Sequence, residues 1–390
     1  MTTPPAGPPL VFVVAGEPSG DAIGARLMAA LKQETGGAIR FAGIGGARME
    51  AEGLKSLFPM SDLTLFGLAE VLPKIRMVKA RIAETVGAIR TARPDAVVTI
   101  DSPGFSFRVQ KQLAAGSTKR IHYVAPTVWA WRPGRARKIA RFLDRLLVLL
   151  PFEPPYFDAV GLPCDFVGHP VLEEGADQGD GAGFRAHHGI PVDAPLLVVL
   201  PGSRRSEVRT LLPVFADVLA RLKPRFPNLR VVVPTVETVA GEVKRAVASW
   251  PVPAIVVSGI AEKYGAFAAG TVAMAASGTV SLELGIARLP SVIAYRVHPL
   301  SAAVARRLVK VRHVTLTNII LGREVVPEFI QDRCRADLIA DSVGALLSDP
   351  GLRASQTREV SLALAQLGGD NPPSPSRRAA KAVLSAIGQR

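Results

Sequence analysis

The chain has little cysteine, few aromatic residues and no long apolar run. Its two cysteines, Cys164 and Cys334, show no pairing pattern, which excludes a disulfide framework or a cysteine zinc site and indicates a reducing compartment. Mean hydropathy is +0.26, high for a soluble chain. No run, however, approaches the roughly 18 apolar residues that a membrane-spanning helix needs. We therefore expect a globular protein whose only contact with a membrane is at the surface.

Several catalytic signatures are also missing. The sequence has no Asp-x-Asp pair to hold the divalent ion of metal-dependent sugar transferases, no histidine pair at zinc-ligand spacing, and no Gly-x-Ser-x-Gly elbow. We predict neither a metal nor a cofactor. The N-terminal MTTPPAGPP lacks the basic and apolar regions of a secretory signal, so the expected location is cytoplasmic.

The charge is strongly positive. Lys and Arg number 47 against 33 Asp and Glu, a formal net charge of +14. Such a balance favours nucleic acid, anionic lipid or phosphorylated substrates. Because aromatic residues are only 6% and no recognition motif is present, we expect no nucleic-acid partner.

The second half of the chain is organised around residues 196–210. Five apolar residues end abruptly in Pro-Gly-Ser, and a helical pattern then begins with Arg204 and Arg205. A parallel strand, tight turn and helix start would direct backbone N–H groups at an anion, most simply a diphosphate bound by Gly202, Ser203 and Arg204. An ordinary strand-to-helix turn with solvated arginines explains the pattern equally well.

A second turn of this kind follows the predicted strand at 272–276. Ser277, Gly278 and Thr279 would let a diphosphate approach closely, and Glu283 could accept both hydroxyls of a ribose. The alternative is that Glu283 only interacts with the helix dipole.

The first half opens in the same way, with a strand at 10–14, the glycine turn AGEPSGD at 15–21, and a helical pattern. Ser19 and Asp21 in this turn can equally be helix caps. Asp101 stands at the carboxyl end of the strand at 96–100, where α/β proteins gather their ligands. It is a candidate general base, or else it caps the Ser-Pro-Gly turn.

Residues 60–81 alternate apolar and basic side chains. They form either a core helix with a solvated basic face, or an apolar lip with a basic rim that docks on anionic lipid. For residues 298–313, which are similar, we favour packing or solvation. The loop after the strand at 121–125 carries Trp129 and Trp131, which could line a cleft or simply pack the loop. The candidate lipid contacts of the first stretch are Leu65, Phe66, Leu68, Val71 and Leu72.

Strand and helix patterns alternate on both sides of a polar, glycine-rich linker at 173–183. This predicts an α/β protein with two Rossmann-like domains facing a cleft, at 1–172 and 184–366. The last helix, at 376–390, has an apolar stripe that we expect to pack back on the first domain. The other strands are predicted at 39–42, 146–150, 229–233, 255–258 and 291–295.

Taken together, these motifs resemble one family, the lipid-A-disaccharide synthases, which are inverting glycosyltransferases of the GT-B fold. Nine stretches match in order over nearly the whole chain. They are AGEPSGD at 15–21, GIGG at 43–46, FGLAEVLP at 66–73, IDSPGF at 100–105, YVAPTVWAWRPGR at 123–135, FVGHP at 166–170, LPGSRRSEV at 200–208, SGTVSLE at 277–283 and NIILGREVVPEF at 318–329.

The resemblance implies transfer of 2,3-diacylglucosamine from its UDP derivative to 2,3-diacylglucosamine 1-phosphate, at the inner face of the inner membrane. Asp101 matches the family's proposed general base, Arg204 its diphosphate-side arginine, and Glu283 its ribose-binding acid. Asn318 matches its donor-site asparagine, although Thr317 stands where the family often has proline. Ser19 falls in the N-terminal glycine-turn motif, on the acceptor side. A homodimer is left open.

Two alternatives remain at the level of the sequence. Another GT-B enzyme, a sugar-nucleotide epimerase or a transferase to a different lipid-linked acceptor, would share the Ser-Gly-Thr turn and Glu283 but differ in the first domain. A non-catalytic basic protein that binds membrane surfaces or RNA would instead bind nucleic acid with a steep salt dependence.

Overall fold

The chain forms two compact units. The computed structural model describes residues 7–63, 68–113, 118–131, 134–297, 311–369 and 372–388, with the backbone alone for 68–74. Unit 1 comprises residues 1–170 and 370–390, and unit 2 comprises residues 171–369. Among the described residues, no helix combines the length and apolar character needed to cross a bilayer.

Unit 1 is built on a six-stranded parallel sheet in the order β2-β1-β3-β4-β5-β6. Its central strands consist of buried, largely β-branched residues, as expected where helices cover both faces of a parallel sheet. The strands are β1 (Leu10–Ala15), β2 (Arg40–Ile44), β3 (Ala96–Ile100), β4 (Lys119–Tyr123), β5 (Arg145–Val148) and β6 (Cys164–Phe166).

The helices of unit 1 cover both faces of this sheet. They include α1 (Pro18–Glu34), α2 (Ala47–Ala51), α3 (Leu68–Ala92), α4 (Pro103–Gln110), α5 (Val128–Trp131), α6 (Gly134–Ile139) and α7 (Pro154–Asp158). The last helix of the chain, Pro375–Ala386, packs against α1 and buries Ala379, Val383 and Leu384 in the same core as Val11. A chain segment beyond unit 2 therefore completes the core of unit 1.

Unit 2 contains a second six-stranded parallel sheet, in the order β12-β11-β10-β7-β8-β9. From one edge to the other this is the dinucleotide-binding order, with the direction of winding reversed between β7 and β10. Its strands are β7 (Leu196–Leu200), β8 (Arg230–Thr235), β9 (Ala254–Ser258), β10 (Val272–Ala276), β11 (Ser291–Tyr295) and β12 (Glu328–Ile330).

The helices of unit 2 lie on both faces of its sheet, and α9 carries the largest buried stripe, including Phe215 and Leu219. In chain order they include α8 (Gly181–His187), α9 (Arg205–Leu222), α10 (Glu237–Val247), α11 (Ile260–Ala269), α12 (Val280–Ile286), α13 (Leu316–Leu321), α14 (Ala336–Ser348) and α15 (Pro350–Gln366); the last helix of unit 1 is α16.

The segment predicted to be a linker, 173–183, lies inside unit 2. Asp180 caps α8 by accepting a hydrogen bond from the backbone N–H of Gly183 at 2.8 Å. Gly179 and Gly181 approach α11 so closely that a Cβ on either would meet the backbone of Tyr264 or Ala268. The glycines that suggest flexibility in the sequence thus allow close helix packing.

Candidate active site

A pocket of about 700 Å³ lies at the carboxyl edge of the second sheet. It is lined by the turns that follow β7, β8, β9 and β10, and so includes the point where the winding of the sheet reverses. Ligands of open α/β sheets bind at this position. Seven residues in the turns after β7 and β10 are predicted to bind the nucleotide, and all seven line the pocket. They are Gly202, Ser203, Arg204, Ser277, Gly278, Thr279 and Glu283.

The turn after β7 is shaped by Gly202 and Glu207. Gly202 has φ of +107°, and a Cβ there would lie 2.6 Å from a carboxylate oxygen of Glu207. Arg204 precedes the first residue of α9 and donates from its guanidinium to Glu207 at 3.0 Å, while its side chain is 74% exposed. The arginine is thereby held at the mouth of the pocket, beside the positive end of α9.

The turn after β10 brings Glu283 into the pocket. Gly278 has φ of +155°, and nothing lies within 4 Å of where its Cβ would be, so the backbone faces open space. Glu283 is buried and pairs with Lys263 of α11, which also lines the pocket. A carboxylate with a fixed cationic partner is a preorganised acceptor for hydroxyl groups.

Sequence reasoning missed five polar residues of this pocket, which are Glu207, Thr235, Glu237, Ser258 and Lys263. Lys263 and Glu207 act through contacts with Glu283 and Arg204, and Thr235 ends β8 with its buried hydroxyl lacking a hydrogen-bond partner among the described atoms. Only the position of Thr235 at a strand end could have indicated it. Buried polar groups normally have partners, so this hydroxyl is a candidate ligand contact.

Asn318 does not line the pocket. Its buried side-chain amide donates to the carbonyl of Val326 and to Glu328, and its oxygen accepts from the N–H groups of Val325 and Val326. All four hydrogen-bonding positions of the amide are therefore used within the protein. Glu328, another residue that the sequence did not single out, also accepts from the Thr315 N–H at 2.8 Å, so the pair fixes the start of α13.

In unit 1, Asp101 and Ser102 form a strained turn after β3. Their φ angles are +47° and +44°, a region that residues other than glycine adopt rarely and that is enriched at functional sites. Burial raises the pKa of the half-buried Asp101 carboxyl, and a hydrogen bond from the Ser102 backbone N–H opposes this rise. The Ser102 hydroxyl lies 3.4 Å from Glu17, which follows β1 on the other side of the strand-order reversal.

A second pocket, of about 900 Å³, opens beside this turn. Ser102 and Glu17 line it at one end, although Asp101 itself does not. Its walls are mainly apolar side chains of α3 and α4 with Leu63, and Lys79, Arg108 and Lys111 add positive charge. The apolar lining residues are Leu63, Ile75, Val78, Ile82, Ala83, Pro103 and Phe105.

The candidate lipid contacts Leu65 and Phe66 lie outside the described residues, as do the side chains of Leu68, Val71 and Leu72 and most of 298–313. Farther along α3, Val78 is buried in the core, whereas Ile75 is 39% exposed. The described part of residues 60–81 thus contains both core and exposed apolar positions.

The two polar residues that were candidate caps in the AGEPSGD turn, Ser19 and Asp21, have different positions. Ser19 is exposed on the first turn of α1. Asp21 is buried and accepts hydrogen bonds from the N–H groups of Gly46, Arg48 and Met49, at 2.7 to 3.1 Å. Asp21 is therefore a cap, as one interpretation held, but it caps α2 and holds the GIGG turn.

The tryptophan loop is packed down by a buried acid. Trp129 donates from its indole nitrogen to Glu153 at 3.1 Å, and its ring meets Phe152 edge-on. Burial raises the pKa of Glu153 to about 7, against the opposing effect of N–H groups from Leu149, Leu150 and Trp129. These contacts favour the packing interpretation of Trp129.

Similar solved structures define the fold class. A UDP-GlcNAc 2-epimerase from Neisseria meningitidis bound to UDP-GlcNAc has a TM-score of 0.64 at 11% identity, covering 97% of this chain and 99% of that one. MurG from Acinetobacter baumannii has a TM-score of 0.56 at 12% identity, covering 97% and 100%. Two Rossmann-like domains, one with a pocket at its strand ends, define a protein of the GT-B fold, as the sequence predicted.

The sequence comparisons identify the family within this class. A family model described as lipid-A-disaccharide synthetase matches residues 11–377. The lipid-A-disaccharide synthase of Rhodospirillum centenum is 58% identical over 98% of this chain and 96% of its own length, and that of Paramagnetospirillum magneticum is 54% identical over 97% and 98%. The chain belongs to the lipid-A-disaccharide synthetase family and is a glycosyltransferase. This confirms the family that the nine motifs predicted.

Proposed function

We propose that the protein transfers 2,3-diacylglucosamine from its UDP derivative to the 6-hydroxyl of 2,3-diacylglucosamine 1-phosphate. The products are a β-1,6-linked disaccharide and UDP. The observation that carries the proposal is the pocket of unit 2, where two strand-end turns, Arg204 and the Lys263–Glu283 pair converge. Membership of the family supplies the identity of the substrates.

Unit 2 binds the UDP part of the donor. The turns at Gly202–Arg204 and Ser277–Thr279 receive the diphosphate, because backbone N–H groups at the starts of helices favour anions. Glu283 accepts the ribose hydroxyls, and Thr235 offers its unpartnered hydroxyl to the nucleoside. Asn318 acts indirectly in this scheme, by holding the start of α13 through Glu328.

Unit 1 supplies the general base. As the acceptor 6-hydroxyl attacks the anomeric carbon, the bond from that carbon to the diphosphate oxygen breaks and the hydroxyl proton passes to Asp101. The departing UDP gains negative charge, which Arg204 and the two turns stabilise. Attack on the face opposite to the leaving group inverts the α-linked donor to a β-linked product.

The apolar pocket beside Asp101 receives acyl chains of the acceptor. Burial of hydrocarbon against Val78, Ile82 and Phe105 is favourable by about 25 cal/mol per Å². Lys79 and Arg108 at the same pocket complement the 1-phosphate. The exposed Ile75 and the neighbouring residues of α3 dock on the anionic inner face of the inner membrane, where the acylated substrates reside.

The test is UDP release from the acylated donor with acylated and unacylated acceptors. We expect turnover and a disaccharide product only with the acylated acceptor 1-phosphate. Equal turnover on the unacylated sugar phosphate would contradict the assignment of acceptor. Epimerisation of the donor sugar without an acceptor would instead support the epimerase alternative.

A further inference from the structure

The geometry points to a binding site for a divalent transition metal on unit 2, formed by His187, His188 and Glu262. We call these three residues the His-His-Glu cluster. They belong neither to the donor pocket nor to the apolar pocket of unit 1, and the reaction proposed above does not use them.

The three side chains already lie together. The Nε2 atom of His188 is 2.8 Å from a carboxylate oxygen of Glu262, and the His187 and His188 rings have centroids 4.7 Å apart. One nitrogen or oxygen from each residue lies within 4.8 Å of the others. Ligands of a tetrahedral ion bound at about 2 Å are separated by somewhat more than 3 Å, so small side-chain rotations complete the coordination.

The backbone that carries the cluster is held in place by packing between α8 and α11. The centroids of the His188 and Phe184 rings are 4.4 Å apart, and Phe184 is buried against Gly265 of α11. Arg185 donates to the carbonyls of Pro191, Ala194 and Ala269, so its charge is directed away to backbone acceptors. A site whose supporting residues are fixed in advance loses little entropy when it binds an ion.

The ligand atoms of the His-His-Glu cluster determine which metal ions it prefers. Two imidazoles and one carboxylate suit Zn²⁺, Co²⁺, Ni²⁺ or Cu²⁺, with water in the remaining position, whereas Mg²⁺ and Ca²⁺ prefer sites made of oxygen alone. His187 is the last residue of α8 and His188 is its C-cap, so the helix ends between the two histidines.

A bound ion would connect two elements that are distant in sequence. His188 and Glu262 are 74 residues apart, and Lys263, which holds Glu283 in the donor pocket, directly follows Glu262. Because the ion binds the folded state, it raises the stability of unit 2 by an amount that grows with the logarithm of the free ion concentration above Kd. We expect this effect whether or not the protein is turning over substrate.

The experiment is a titration of the full chain, free of any histidine tag and treated with a chelator, with Zn²⁺ by calorimetry and with Co²⁺ by visible absorption. We expect one site with affinity in the micromolar range, and a Co²⁺ band typical of low coordination number. His187→Gln should weaken binding by more than about tenfold, since even partners of metal ligands contribute 10- to 100-fold. Zn²⁺ should raise Tm of the original chain and not of this variant.

His187 is exposed, so its replacement leaves the core of unit 2 intact and keeps the test interpretable. Glu262→Gln should also weaken binding, while Glu242→Gln, a matched change on α10, should leave it unchanged. Binding that survives both His187→Gln and Glu262→Gln, or Mg²⁺ binding as tightly as Zn²⁺, would overturn the proposal. So would the absence of binding to the original chain.

Discussion

The pockets of the two units both reach the turns at the carboxyl edge of a parallel sheet but are lined by opposite chemistry. In unit 2 the strand ends present glycine turns, Arg204 and the Lys263–Glu283 pair. In unit 1 they lead into an apolar cavity between α3 and α4, with Glu17 and Ser102 at one end. The fold thus fixes where ligands bind, and the loops and helices decide what is bound.

The turns at the two pockets also differ in which residues have positive φ. Positive φ at Gly202 and Gly278 carries little steric cost because glycine has no Cβ, whereas the left-handed conformation of Asp101 and Ser102 costs on the order of 1–3 kcal/mol per residue. Among the described residues, other non-glycine positions in both units also have positive φ, such as Val124 and Arg288, so the strain supports a base only together with the position of the Asp101 carboxylate at the end of β3. This is why we place the general base in unit 1 and treat unit 2 as the binding partner of the nucleotide.

The sharpest test of this division of roles, with the base in unit 1 and nucleotide binding in unit 2, is the Asp101→Asn variant. Asparagine tolerates positive φ and keeps the size of the side chain, but it cannot accept the proton. We expect turnover to fall by about 10³-fold, close to 4 kcal/mol, with UDP affinity unchanged. Steady-state kinetics and calorimetry measure the two quantities, and a rate within about tenfold of the original would show that another group is the base.

The pH dependence of kcat/KM sharpens the same claim. A base must be ionised to act, and burial raises the pKa of Asp101, so activity should be lost on acidification at a higher pH than an ordinary aspartate would give. The acidic limb should therefore lie above pH 3.8, the ordinary value. A limb at or below that value would remove the support that burial gives to this assignment.

In unit 2, the Glu283→Gln variant should lower the affinity for UDP. The change removes charged acceptors of the ribose hydroxyls and leaves Lys263 without its partner. We expect UDP affinity to fall about 10- to 100-fold, which corresponds to roughly 1.5–3 kcal/mol. Glu242→Gln on α10 is the control, and equal UDP affinity in both variants would exclude Glu283 from the nucleotide site.

The units should respond differently to acid, because unit 1 contains two histidines that burial keeps neutral. The pKa of His122 is lowered to about 3 and that of His169 to about 4. The unfolded chain protonates these histidines below about pH 6.5 while the folded unit does not, so the two histidines lower stability as the pH falls. Glu153 of the same unit, whose pKa burial raises to about 7, is protonated first in the folded state and offsets part of this loss. Each histidine should contribute a loss of about 2 kcal/mol between pH 6.5 and 5.

Tryptophan fluorescence can follow this loss in unit 1 alone. Trp129 and Trp131 lie in unit 1 and Trp250 in unit 2, so urea unfolding of a Trp250→Phe variant reports on unit 1. Replacing His122 by Gln should reduce the pH dependence. An equal change in the free energy of unfolding between pH 6.5 and 5 with and without the His122→Gln replacement would show that His122 is not kept neutral in the folded state.

The smallest expected effect concerns the membrane. Ile75→Ser should reduce binding to anionic vesicles a few-fold, because a partly exposed isoleucine contributes about 1 kcal/mol when it enters the interface. Val192→Ser in unit 2, at a position 91% exposed, should have no effect. Equal co-sedimentation of the two variants would remove Ile75 from the lipid-binding surface.

Much of the fold could be predicted because its strands are short apolar runs that end in turns. The predicted limits of β3, β7, β10 and β11 agree with the structure. The sequence did not reveal β6 or β12, since three residues at a sheet edge carry no periodic signal. It also placed the start of β4 two residues late, because Lys119 and Arg120 begin that strand with charged side chains.

The residues of the candidate site also fall into those that the sequence could predict and those that it could not. Residues that follow strand ends, such as Asp101 and Ser277, could be predicted from local patterns alone. Lys263, Glu207 and Glu328 could not, because each acts on another side chain that tertiary packing brings to it. The His-His-Glu cluster is the clearest case, since no spacing in the sequence relates His188 to Glu262.

Hydrogen exchange of the full chain with and without UDP tests the central claim most directly. We predict slower exchange on UDP binding in the segments that line the unit 2 pocket, 201–207 and 277–283, with the turn at 101–105 unchanged. Protection confined to 101–105 and the helices around the apolar pocket, with no change at 201–207 or 277–283, would contradict the assignment of the nucleotide to unit 2.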